Sequence, residues 1–107
     1  MTRYVRHAKK AHRDANHPHL VEVLNALGFL VWDMADVGEG FPDLLVARRG
    51  VLSLVEVKNP ERYWKTQDRK THEKQAAFAD LAKRLGGVTV YIVETLDDVT
   101  AFSGKVP

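Results

Sequence analysis

The chain predicts an α/β domain: a mixed four-stranded sheet flanked by helices, in the order helix-strand-strand-strand-helix-strand-helix. Three observations carry this. Residues 44–47 and 51–55 are short, β-branched-rich apolar runs separated by Arg48-Arg49-Gly50, the pattern of a tight β-hairpin. Two other stretches repeat apolar residues at the helical period, Leu20, Val21, Val23, Leu24 and Leu27 in one and Phe78, Leu81, Ala82 and Leu85 in the other. A last strand-like run, 88–94, follows the second of these closely enough for a strand-helix-strand crossover.

In chain order, residues 1–15 form a basic arm, with Arg3, Arg6, Lys9, Lys10 and Arg13 against Asp14. The arm is either a solvated tail or a phosphate-tracking segment. Asn16 caps the first helix, Pro18 stands in its first turn, and Gly28 ends it. At about 100° per residue, His17 falls on the sheet-facing side with Val21 and Leu24, and Glu22 falls opposite. Residues 29–35 read as a strand buried on both faces, and 36–40 as a glycine-rich loop carrying Asp36 and Glu39. After the hairpin, residues 59–70 are polar and basic without periodicity and read as a loop, with Tyr63 and Trp64 interleaved among Arg62, Lys65, Arg69 and Lys70. Aromatics among cations suit stacking on unpaired bases beside phosphate contacts, and Trp64 packed on the domain edge is the plainer alternative. Thr71 caps a helix over 72–85, closed by Gly86-Gly87. Thr95 with Asp98 starts a terminal helix in a capping box. The domain spans 16–103, with 104–107 as a tail.

Composition limits the function classes. At 107 residues the chain suits one modest core. The absence of cysteine excludes disulfides and thiolate metal sites and fits a reducing cytoplasm. No apolar run approaches the roughly 20 residues that span a bilayer, so no membrane partner is expected. A net charge of +2 is mild, and the arm alone exceeds it.

The hairpin holds the chemistry. With a two-residue turn at Arg49-Gly50, Arg48 faces Val51, Ala47 faces Leu52, and Asp43 faces Glu56. Facing residues share one side of a sheet, with Cβ atoms about 5 Å apart. Alternation adds Lys58 to that side. Two opposed carboxylates repel unless one keeps its proton or a cation lies between them, and Mg²⁺ is a hard cation suited to that place.

Pro42-Asp43, twelve residues, then Glu56-Val57-Lys58 resembles the PD-(D/E)xK nuclease motif. The flanking text, Gly40-Phe41-Pro42-Asp43-Leu44-Leu45-Val46 and Leu54-Val55-Glu56-Val57-Lys58-Asn59, is most similar to the VRR-NUC and Holliday-junction-resolvase-like branch of phage and bacterial proteins. The resemblance covers roughly residues 16–99. It implies a restriction-endonuclease-like core and Mg²⁺-dependent hydrolysis of phosphodiester bonds, in DNA and selective for junction or branched forms. Mn²⁺ substitutes for Mg²⁺ in such sites. Asp43, Glu56 and the Val57 carbonyl would hold the metal, Lys58 would assist, and Gln75 would lie near the lysine. The first-helix acid of the family aligns with His17, and a second acidic position with His19; here the chain departs from the pattern. His17 is then a metal ligand, a general base or a capping-turn histidine, with Asn16 an outer contact. A homodimer is implied, since a specific DNA interface buries about 1,000–2,500 Å² of protein. The rival from another class is a non-catalytic nucleic-acid-binding or scaffold module on the same fold. A histidine metal site built from His7, His12, His17 and His19 lacks the i, i+4 spacing of a helical zinc site.

Overall fold

In a computed structural model, the structure describes residues 4–6, 16–58 and 66–107. The elements are β1 (Tyr4–Arg6), α1 (His17–Ala26), β2 (Leu30–Asp33), β3 (Leu44–Arg48), β4 (Val51–Val57), α2 (Thr66–Gly86), β5 (Val90–Val93) and α3 (Leu96–Lys105). The sheet is mixed and open, in the order β1-β2-β3-β4-β5. The four expected strands are β2 to β5; β1 adds a short parallel edge to β2, so part of the basic arm joins the sheet. β2, β3 and β4 run antiparallel in turn, and α2 carries the chain across to a parallel β5.

The hairpin turn follows from two left-handed residues, Arg49 at φ 53° and Gly50 at φ 80°. Positive φ at both central residues is the type I′ geometry, whose twist matches that of the strands it joins. The expected register results: Leu44 pairs with Val55, Val46 with Ser53, and Arg48 with Val51.

Register sorts side chains onto two faces. One face carries Val31, Asp33, Leu44, Val46, Val55, Val57 and Val93, and there α1 and α3 close the core with Leu20, Val21, Leu24, Val99 and Phe102. Phe102 stacks on Phe29 at 5.3 Å and leans on Tyr91 at 4.9 Å. Arg48 reaches this face beside the chain's C-terminal end. Its guanidinium lies 4.1 Å from the Phe29 ring centroid and donates to the carbonyls of Leu27, Ser103, Val106 and Pro107 and to Ser103 Oγ. The other face carries Asp43, Glu56 and Lys58 and lies under α2.

Several expected boundaries move. Helix α2 begins at Thr66, so residues 66–70, read as loop, are helical and Thr71 is not its cap. Gln, Arg and Lys are good helix formers that leave no apolar period, which is why the pattern alone stopped short. α3 runs to Lys105, so residues 104–105 of the expected tail are helix, and Arg48 bonds the carbonyls of the other two, Val106 and Pro107. β2 is shorter than 29–35 and only one side of it is fully buried. Asn16 makes no side-chain cap: its backbone is already helical, at φ −83° and ψ −7°, and its amide N–H groups donate to distant carbonyls. The Thr95–Asp98 capping box forms as expected.

Candidate active site

Asp43 stands just before β3, where the register carries it opposite Glu56. Its Oδ2 accepts the Val57 N–H at 2.9 Å. Continuing the ladder places Pro42 across from Val57, and a proline has no N–H to offer the Val57 carbonyl. A strand residue aims its N–H and C=O to the same side, so the Val57 carbonyl also faces β3, where Pro42 supplies no ladder donor.

Glu56 is 2% exposed and lies against Asp43. Burial, the hydrogen bond to Asp43 and the Asp43 charge push its pKa up to about 10, with Lys58 opposing. At neutral pH Glu56 therefore keeps its proton and donates it toward Asp43, one of the two ways such a pair is relieved. Its Oε1 is buried with no hydrogen-bond partner among the described residues. Lys58, 9% exposed, donates from Nζ to Gln75 Oε1, while its own N–H bonds the Val93 carbonyl.

Gln75 is delivered by α2, and a glycine sets how near that helix comes. Gly40 has φ 83°, and a Cβ there would overlap the Lys74 carbonyl. The close approach at this loop is to the α2 backbone, and Phe41 extends it by an edge contact with Phe78 at 5.2 Å. A cavity of about 280 Å³ opens here, lined by Ala35, Gly38, Glu39, Asp43, Lys74 and Gln75 among others.

His17 is buried as its helical position predicted, but it faces Asp33, with Nε2 3.7 Å from Asp33 Oδ2. Asp33 shares its side of the sheet with Leu44, the side away from Asp43, so the structure does not bring His17 to the carboxylate pair. Asp33 escaped sequence reasoning; the available signal was an acid placed on the core side of an otherwise apolar strand. Asn16, just before α1, does reach the end of β4: its amide donates to the carbonyls of Lys58 and Glu94 at 3.1 and 2.9 Å. Arg3, Lys9, Lys10, Arg13, Arg62, Tyr63, Trp64 and Lys65 lie outside the described residues. Arg6 is in β1, and Arg69 and Lys70 are in α2. His7 and His12 also fall outside, and among the described residues no three His, Asp or Glu side chains converge on one point.

Comparison with protein-family models, curated proteins and solved structures gives no match to this chain. The resemblance to the nuclease motif therefore rests on the chain's own residues and their geometry.

Proposed function

We propose that the chain is a divalent-metal-dependent nuclease domain of the PD-(D/E)xK type, with a restriction-endonuclease-like core, acting on phosphodiester bonds in DNA. The observation that carries this is the meeting of a half-buried Asp43 with the buried Glu56 and Lys58, aligned on one face by the hairpin register and tied through the Asp43 to Val57 hydrogen bond. A purely structural site has no physical reason to hold a second carboxylate against a buried one at the end of a ladder.

The residues fit Mg²⁺ or Mn²⁺. Glu56 has a buried carboxyl oxygen without a hydrogen-bond partner among the described residues, Asp43 opposes it, and the Val57 carbonyl lacks a ladder donor. These three oxygens would hold the ion, which takes carboxylates, carbonyls and water as ligands. When bound, it supplies charge neutralisation at a phosphate and acidifies water. Glu56 gives up its proton on becoming a ligand. Lys58, held by Gln75, presents a cation to phosphate oxygens where charge develops. Asn16 braces the strand end that carries Lys58.

DNA as substrate, preference for branched forms and homodimerisation belong to the same proposal. Exposed Leu52 and Leu85 offer apolar surface for a second copy. Among the described residues no helix is long and apolar enough to cross a membrane.

The test is incubation with duplex, single-stranded, flapped and four-way-junction DNA in Mg²⁺ or Mn²⁺, beside Lys58→Ala. Cutting by the wild type and binding without efficient cutting by the variant are expected. Equal cutting by both removes Lys58 from the mechanism. A non-catalytic nucleic-acid-binding module is the second reading, favoured by the engagement of His17 with Asp33 in place of a first-helix acid at the pair. It requires DNA binding with no divalent-dependent cutting of any substrate.

A further inference from the structure

Behind the carboxylates, between α2 and the β5 edge, a second cavity of about 260 Å³ opens to solvent. Ala76 and Ala79 of α2 form one wall, and Val90 and Ile92 of β5 form the other. Its inner end is polar: Glu56, Lys58 and Gln75. The small side chains of Ala76 and Ala79 hold the space open, since they leave the helix lying over the sheet without filling the gap. Ile92, on the Glu56 side of the sheet, stays 59% exposed at the mouth.

Gln75 borders this cavity and the one beside Asp43. On the Asp43 side the lining is mostly loop backbone and charge, suited to a phosphate and its counter-ion. On the Ala79 side it is a slot with apolar walls. Lys58 stands at the inner end of the slot and bonds Gln75, so a phosphate drawn to the lysine would bring its own nucleoside to the slot. The volume is below the about 300–1,000 Å³ of a site for a drug-sized ligand, so it suits one base and part of its sugar and excludes a base pair. Apolar walls recognise the face of an unstacked base, and the Gln75 amide N–H groups, left over when Oε1 accepts from Lys58, can meet its edge.

We infer that this slot between α2 and β5 binds the base of an unpaired nucleotide adjoining the phosphate held at Lys58, which makes DNA with an unpaired nucleotide the substrate class. The inference rests on the nuclease reading for its meaning, and its measurement needs no turnover. Methyl-labelled protein is titrated with a short oligothymidylate and, separately, with a blunt duplex of equal length, without metal. The oligothymidylate is expected to shift the methyl resonances of Ala76, Ala79, Val90 and Ile92, and the duplex to leave them in place. Ala79→Leu, which fills the slot from an already helical position, should weaken oligothymidylate binding at least about tenfold, the effect of about 1.4 kcal/mol. It should leave the divalent-ion isotherm unchanged.

Slot methyls that stay still, that respond equally to duplex, or that follow protein concentration because a second copy fills the slot would each overturn the inference. Shifted methyls in a protein that cuts nothing would sink the nuclease reading and keep the slot. A protein that cuts every substrate equally before and after Ala79→Leu would do the reverse.

Discussion

The two faces of the sheet are built to different ends. Under α1 and α3, Val31, Leu44, Val46, Val55, Val57 and Val93 are at most 2% exposed. Under α2, Leu52 is 63% exposed, and Leu85 on the helix itself is 79% exposed. The expectation of an amphipathic core helix over 72–85 is therefore only partly met: Phe78 packs against Phe41, while Leu81 and Leu85 face outward. One face supplies cohesion. The other holds Asp43, Glu56 and Lys58 beside open cavities, where a ligand can reach them. Alternate residues of a single strand serve both, since Val55 and Val57 belong to the core and Glu56 and Lys58 to the site.

If this division holds, substitutions on one face should move stability and those on the other should move chemistry. The largest effect is expected from Lys58→Ala, with cutting slowed about 10²–10³-fold, or about 3–4 kcal/mol, and an unfolding midpoint close to wild type. Leu24→Ala should do the opposite. It opens a hole in the sealed face and should lower stability by about 2–5 kcal/mol in urea unfolding, leaving the rate per folded molecule unchanged. Arg48→Ala tests whether the core face extends to the C-terminal residues. Loss of its bonds to four carbonyls should cost about 1–3 kcal/mol and expose the amides of residues 103–107 to faster hydrogen exchange.

A smaller, pH-dependent effect separates the faces by sign. Folded Glu56 holds its proton up to about pH 10, whereas the unfolded chain releases it near 4.5. Across that window the folded state binds more protons, so metal-free stability should fall as pH rises, by at most about 1.4 kcal/mol per pH unit from this group. Urea unfolding between neutral and mildly alkaline pH should show the slope in wild type. Glu56→Gln should flatten it, and an equal slope in both would place the titration elsewhere.

Much of this was legible in the sequence for a definite reason. A two-residue turn with a glycine at its second position leaves one register, and that register aligns Asp43, Glu56 and Lys58 without further information. The Thr95 cap was legible because its partners lie within one turn. What stayed hidden depends on long-range partners. Arg48 read as a residue beside the turn, opposite Val51, and only the folded chain shows the C-terminal carbonyls it gathers. Asn16 read as a cap from its local sequence, but its Oδ1 accepts no first-turn N–H, and its amide donates to the carbonyls of Lys58 and Glu94, 42 and 78 residues away. His17 was correctly turned inward, but its partner Asp33 sits on a strand whose apolar neighbours masked it.

The central claim is that Asp43 and Glu56 form a divalent-ion site whose resting state is closed by a proton. Titration calorimetry with Mn²⁺ near neutral pH, in two buffers of different ionisation enthalpy, measures both parts together. Binding with release of about one proton is expected, as Glu56 changes from acid to ligand, and Asp43→Ala should abolish the isotherm. An isotherm that survives Asp43→Ala, or binding with no proton released, would contradict the account.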